Sequence, residues 1–336
     1  MTVSKSNITR ESTIIPIASG KGGVGKSLFT ANLAIALARL GHQVIAIDLD
    51  LGGSNLYTHL GVPNTYPGIG DFLKTGGLDF NELLVDTGVE NLRFLPGDGR
   101  TPFMANIDFQ QRSLLVRQIK NLSARFVLLD LGAGSVFNTL NFFGLSQRSI
   151  VITTFETPAI MNFVMFLRNF IFRVISGLAK QNQEAMGLVV ESFQQSIGAA
   201  PVTAASLIRC IESVDPLLAD KMRQVCGQYH PRIIFNMGDH PDELKIAPKI
   251  DSTLKRGLSM EAEFFGFVAF DDAVRKSAKR KEVLMIRHSQ SVAAQCIGKI
   301  AADVSKNWER PFSDNISHLM EETRRNFEAA AGAANS

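Results

Sequence analysis

The sequence is poor in the residues that build disulfide frameworks or thiolate metal sites. Its 336 residues include three cysteines, Cys210, Cys226 and Cys296. Their odd number and wide spacing exclude a disulfide scaffold and a paired-cysteine metal site, and they fit a reducing compartment. All three read as buried small apolar residues. Charge of one sign is also lacking, since 35 basic residues face 32 acidic ones for a net charge of +3. A surface built wholly for nucleic acid is therefore excluded, and any basic patch must be local. No long apolar run is uninterrupted. The most apolar stretch, residues 160–178, carries Asn162, Arg168, Asn169 and Arg173, so a bilayer-spanning helix is not expected. Residues 1–12 are polar, which predicts a flexible N-terminus without a secretory signal. The one biased tract is the small-residue tail from Ala329 to Ser336.

What is present is core material, with 45% apolar and 20% charged residues. Short apolar runs predict strands at 14–18, 44–47, 92–95, 126–129, 149–153, 232–235 and 263–268. Helical periodicity predicts helices at 27–40, 107–122, 158–178, 241–256, 271–281, 289–308 and 315–331. Alternation of the two predicts an α/β fold, a doubly wound, mostly parallel sheet with helices on both faces. Residues 13–308 form the main domain, with 179–229 as a helical insertion and 309–336 as a C-terminal helix and tail.

Gly20, Lys21, Gly22, Gly23, Val24, Gly25, Lys26 and Ser27 fit G-x-x-x-x-G-K-S/T, directly after the first strand and at the opening of a helix near Leu28. Glycines there let backbone N–H groups converge on phosphate, the helix N-terminus adds positive potential, Lys26 reaches the β and γ phosphates and the Ser27 hydroxyl can ligate Mg²⁺. Two further strands end in acids. Asp48 and Asp50 leave the second strand, and Asp130 closes the apolar run Phe126 to Leu129. Open α/β sheets bind ligands at such ends.

The run from Lys21 to Ser27 resembles the deviant Walker A motif of the MinD/ParA ATPases, which are P-loop NTPases. The resemblance covers about residues 12–305. It implies ATP and Mg²⁺ as cofactors and an ATP-dependent homodimer in which Lys21 reaches the partner's nucleotide, acting with Lys26 and Asp50 in catalysis. Nucleotide contacts would come from Gly20, Gly22, Gly23, Val24, Gly25, Lys26, Ser27 and Leu28, from Asn55 sensing the γ phosphate, and from Asn236 on adenine. Metal contacts would come from Ser27, Asp48 and Asp130. A turn-capping role stays open for Asp50 and Asn236, and a solvated charge for Lys21. The sequence departs from the family pattern in two places. Leu131, Gly132, Ala133 and Gly134 replace a hydroxyl residue followed by Pro-Ala-Gly, and Phe155 replaces the first proline of the Thr-Thr-Pro-Glu-Pro stretch.

Motif order, the segment 264–274 and the basic stretch after it look most like the MinD and FlhG (FleN) branch. That branch implies a cytoplasmic switch that dimerises with ATP, positions a cellular structure and hydrolyses ATP slowly under partner stimulation. The alternatives are a ParA-like partition ATPase holding nonspecific DNA, and a nucleotide-dependent protein-binding module with little hydrolysis. Arg275, Lys276, Lys279, Arg280, Lys281 and Arg287 could contact DNA phosphates, although a solvated helix end explains the same run. A nitrogenase-reductase-like role is excluded because no cysteine precedes Cys210, and a tyrosine autokinase because no tyrosine follows Tyr229.

At the C-terminus, Phe312, Ile316, Leu319, Met320 and Phe327 fall near one helical face, but Glu321, Glu322 and Glu328 offset Arg324 and Arg325. Packing on the domain or on a protein partner is expected before peripheral membrane contact. Helix 158–178 has Phe163, Phe166, Phe170 and Ile171 on one stripe and Met161, Met165 and Phe172 elsewhere. It is predicted to dock a partner or the insertion, with a wide core helix as the alternative.

Overall fold

The computed structural model describes residues 12–75, 79–97, 107–194, 202–311 and 315–334, with the backbone alone at 315 and 329–334. The expected flexible N-terminus up to residue 11 and Phe312 of the C-terminal stripe lie outside the described residues. Among the described residues the chain opens with β1 (Thr13–Ser19), α1 (Lys26–Arg39) and β2 (Val44–Leu49). Three short helices follow, α2 (Leu56–Leu60), α3 (Ile69–Thr75) and α4 (Phe80–Leu83), then β3 (Val85–Asp86) and β4 (Leu92–Leu95). Next come α5 (Phe109–Asn121), β5 (Phe126–Leu131), α6 (Phe137–Phe143), β6 (Ile150–Thr153) and α7 (Thr157–Ala179).

Three helices, α8 (Gln183–Gln194), α9 (Ala204–Glu212) and α10 (Pro216–Cys226), precede β7 (Arg232–Gly238). After a 3-10 turn at Pro241–Ile246 come α11 (Ala247–Leu258), β8 (Glu263–Ala269) and α12 (Asp272–Arg280). The last elements are α13 (Leu284–Arg287), α14 (Val292–Asn307) and α15 (Asn315–Ala334). All seven expected strands are present. The eighth, β3, escaped the pattern because it contributes two residues, paired antiparallel to the edge strand β4. The predicted helix at 241–256 is divided, since Pro248 lacks the N–H that would continue a helical ladder through it.

The strand order is β3-β4-β2-β5-β1-β6-β7-β8, parallel throughout except at β3. From β1 the chain passes to β2 and out to the edge at β3 and β4, returns to place β5 between β2 and β1, and then adds β6, β7 and β8 on the other side, with helices on both faces. Alternate residues of the central strands feed opposite layers: Val127, Leu129 and Leu131 join one core, Phe126 and Leu128 the other. The second core is closed by α1 and α14, through Leu33, Leu37, Ile297 and Ala301. The first is closed by α5, α6, α7 and α11.

Helices α8 to α10 add to that same core through Ala185, Val189, Leu207, Ile211 and Met222. They cover α7, where Phe172 meets Phe193 edge to face at 5.3 Å. α7 is the one described helix long and apolar enough to cross a membrane, yet Phe163, Phe166, Phe170 and Ile171 are buried in the domain. Met161 and Met165, near its N-terminal end, are 67% and 47% exposed. The C-terminal helix α15 packs along β8, buries Leu319 and Thr323, and covers the edge of the sheet. The expectation for cysteine is corrected in part: Cys226 is buried, but Cys296 is half-buried and Cys210, on the outer side of α9, is exposed.

Candidate nucleotide site

The loop between β1 and α1 is shaped by two glycines that tolerate nothing larger. A Cβ at Gly20 would lie 2.3 Å from the Asn162 carbonyl carbon, so the absence of one lets α7 press on the loop. Gly25 has φ of 84°, and a Cβ there would lie 2.3 Å from Asn236 Nδ2. That close approach allows Asn236, on β7, to donate its amide to the Val24 carbonyl at 2.8 Å. α1 then begins with no side chain capping its N-terminus, leaving N–H donors of a 14-residue helix free for an anion.

Behind the loop sit two acids that the register of the sheet brings side by side. β2 and β5 are neighbours, and Asp48 pairs in register with Asp130. Both are fully buried. Lys26 Nζ donates to Asp130 Oδ1 at 2.7 Å, and the Thr30 hydroxyl donates to the same oxygen at 3.1 Å. Asp130 Oδ2 is buried with no hydrogen-bond partner among the described residues. Asp48 accepts from the Ser54 hydroxyl at 2.7 Å and from the backbone N–H of Asp50 and Leu56 at 3.1 and 3.0 Å. Even so, burial first and the neighbouring Asp130 second push its pKa up to about 7. Two buried carboxylates thus share one lysine, with an oxygen to spare. That donor set, next to a phosphate loop, fits a divalent cation held together with a polyphosphate.

In front of the acids opens a cavity of about 430 Å³. Gly22, Gly23, Gly25, Lys26, Ser27, Leu28, Asp50, Asn55 and Asn236 line it, so nine of the expected residues meet in one place. Gly20 and Val24 shape the loop from behind, and Asp48 and Asp130 lie beneath it. Lys21 is absent from the lining and half-buried; its carbonyl accepts from the Ser19 hydroxyl at 3.0 Å. Asp50 faces the loop after β5, where a Cβ at Gly132 would come 3.3 Å from its Oδ1. Glycine in place of the family's proline therefore leaves room for this carboxylate. The other departure, Phe155, stacks on Phe235 at 4.7 Å and leans on Phe267, filling the base of the same edge with aromatic rings. Val268, Ala269, Phe270 and Asp271 line the same cavity.

Among the other wall residues, His59 and Arg275 carry polar side chains that can meet a nucleotide. His59 lies on the short helix after Asn55, and burial lowers its pKa. Arg275, a member of the basic run, reaches the cavity rim from α12. The placement of His59 four residues after Asn55, the N-cap of α2, is the available signal, and it is weak.

The sequence matches the model of the CobQ/CobB/MinD/ParA nucleotide binding domain over residues 15–284. It is 36% identical over 151 residues to a putative septum site-determining protein MinD of Tupiella akineta, covering 44% of this chain. The chain spans about half of that relative's length, 49%. It is 27% identical over 301 residues to the antiactivator FleN of Pseudomonas aeruginosa, covering 89% of this chain and 88% of FleN. Among solved structures, the septum site-determining protein MinD of Pyrococcus horikoshii, complexed with Mg-ADP, aligns with a TM-score of 0.56 and 20% identity. That alignment covers 88% of this chain and 96% of the other. With the P-loop fold built and most of its length matched, the chain belongs to the CobQ/CobB/MinD/ParA nucleotide-binding family.

Proposed function

We propose that this protein is a slow Mg²⁺-dependent ATPase that dimerises with ATP and acts as a positioning switch, engaging a protein partner and releasing it after hydrolysis. The observation that carries the reading is the second lysine of the phosphate loop. Lys26 is committed to its own site through Asp130, whereas Lys21 stands outside the cavity wall and has no ion pair among the described residues. A lysine so placed is available to a nucleotide held by a second copy, where it would stabilise phosphate charge as an arginine finger does. The exposed Met161 and Met165 lie on the helix that packs against Gly20, giving that face apolar surface to bury.

In this reading Ser27, Asp48 and Asp130 would hold Mg²⁺, which would supply positive charge to neutralise the phosphates. Lys26 turns from Asp130 to the phosphate chain, and the N–H groups of the loop and of α1 surround it. Asp50 accepts a hydrogen bond from the attacking water and orients it, while Asn55 senses the terminal phosphate. Asn236 uses its amide on the base, with Phe270 beside it. The docking of α15 on β8 supports a helix that serves its own domain rather than a membrane surface. One observation favours the DNA-binding alternative: Arg275, Lys276, Lys279, Arg280, Lys281 and Arg287 are all exposed.

Sedimentation of wild type and Lys21→Ala, each with ADP and with slowly hydrolysed ATP, tests the switch. A dimer with the ATP analogue alone, lost in Lys21→Ala, is the expected result. A monomer in every condition refutes the trans lysine. Co-pelleting of the dimer with anionic vesicles and with plasmid DNA at two salt concentrations then separates the partner classes.

A further inference from the structure

Away from the nucleotide cavity, three helices bring two guanidinium groups to one aromatic ring. Phe137 opens α6. Arg112 of α5 holds its Cζ 4.8 Å from the centre of that ring, and Arg173 of α7 holds its own 4.1 Å away. Arg112 also lies 5.6 Å from the ring of Phe109. Their side-chain hydrogen bonds go to neutral amides, Arg112 to Asn138 Oδ1 at 3.2 Å and Arg173 to Asn141 Oδ1 at 3.3 Å. Neither arginine has a carboxylate partner among the described residues, and the Arg173 Nε is buried without an acceptor. Burial, and then the charge of Arg112, lower the Arg173 pKa, as expected for two cations held together without an anion.

The apolar groups around this pair stay open to solvent. Phe109 is 74% exposed, Val136 60% and Phe137 48%. Single exposed hydrophobes are common, but aromatic side chains grouped beside arginine are the composition that recurs at the centres of interfaces. A guanidinium offers parallel donors that match a planar carboxylate, and here two of them flank the half-exposed Phe137 ring with only neutral amides as hydrogen-bond partners. A nucleic-acid backbone calls for a longer stripe of cations than two arginines flanked by rings supply.

We infer that this surface docks a segment of a protein partner that carries a carboxylate next to an aromatic or aliphatic side chain, the carboxylate seated on Arg112 and Arg173 and the apolar group on Phe109, Val136 and Phe137. The surface is separate from the cavity but linked to it. α6 follows the loop in which the Gly134 N–H donates to the Ser19 carbonyl at 2.9 Å, at the start of the phosphate loop. The inference stands whether or not the nucleotide switch proposed above is correct.

A library of short random peptides, panned on wild type and counter-screened on the Arg112→Gln/Arg173→Gln double variant, tests it. Unchanged melting and nucleotide affinity first establish that the variant is folded, and Arg112→Gln alone serves if the double variant is not. Peptides with Asp or Glu beside an aromatic or aliphatic residue are expected to be enriched. A synthetic peptide from that set should lose affinity at least about tenfold on Arg173→Gln, on Phe137→Ala, and when its own carboxylate is made an amide. Enrichment without carboxylates, or equal binding to both proteins, overturns the inference. So does finding that the arginines instead carry binding of duplex DNA or inorganic phosphate, or that Arg173→Gln abolishes self-association in sedimentation, which would assign the face to a second copy.

Discussion

Replacing Asp48 by Asn probes the buried acid pair, because Asp48 is the member whose charge the fold resists. Its carboxyl is pushed from 3.8 up to about 7, by burial and by Asp130, with which it is in register. Between those two values the folded protein holds a proton that the unfolded chain has released. Stability contributed by this group is therefore complete below pH 4 and falls as pH rises toward 7. At about 1.4 kcal/mol per pH unit the full loss is about 4 kcal/mol. Asn cannot ionise and escapes that loss, but it keeps one acceptor oxygen where Asp48 uses two, for Asp50 N–H on one side and for Ser54 and Leu56 on the other. A lost hydrogen bond costs about 1 kcal/mol. The nucleotide-free Asn variant should thus be about as stable as wild type at pH 5 in urea unfolding and about 2–3 kcal/mol more stable at pH 8. Mg-ADP should reverse the order at pH 8, stabilising wild type strongly and the variant little, because the charge that destabilises the empty protein is the one a divalent cation uses. A difference between wild type and variant that does not change from pH 5 to pH 8 would refute the reasoning.

Two further substitutions test the cradle and the frame that supports it. Gly25→Ala places a Cβ 2.3 Å from Asn236 Nδ2 at a residue with φ of 84°, and should weaken binding of a fluorescent ATP analogue at least about tenfold in titration. Wild-type affinity in that variant would show that the loop and Asn236 move independently. Glu263→Gln removes the partner of Arg232, a fully buried arginine that donates to Glu263 at 2.7 Å and lies between Phe265 and Trp308. Neutralising the carboxylate that Arg232 Nε donates to should cost about 3 kcal/mol in urea unfolding, with nucleotide affinity unchanged at temperatures where the variant is folded. A cost under about 1 kcal/mol would mean that the aromatic rings and the backbone carbonyls of Asn307 and Arg310, which accept from Arg232, hold it without the carboxylate.

The amino-acid order by itself determined the parts of this protein that are local. The phosphate loop is eight consecutive residues, and its glycines, Lys26 and Ser27 carry their meaning at fixed offsets wherever the chain folds. The seven longer strands and the main helices were legible for the same reason, as apolar period is a property of neighbours in sequence. Asp48 and Asp130 were recognisable as acids closing buried strands. Only the tertiary structure made them a pair, because their meeting depends on β5 returning to the sheet between β1 and β2, in register with β2. The same distinction explains what was missed. β3 is too short to show a period, His59 matters only because α2 packs on α1, and Gly132 matters because Asp50 lies against it. Arg112, Phe137 and Arg173 come from three helices far apart in the chain. No spacing rule connects them, and their convergence on one ring arises from packing α5, α6 and α7 onto one face of the sheet.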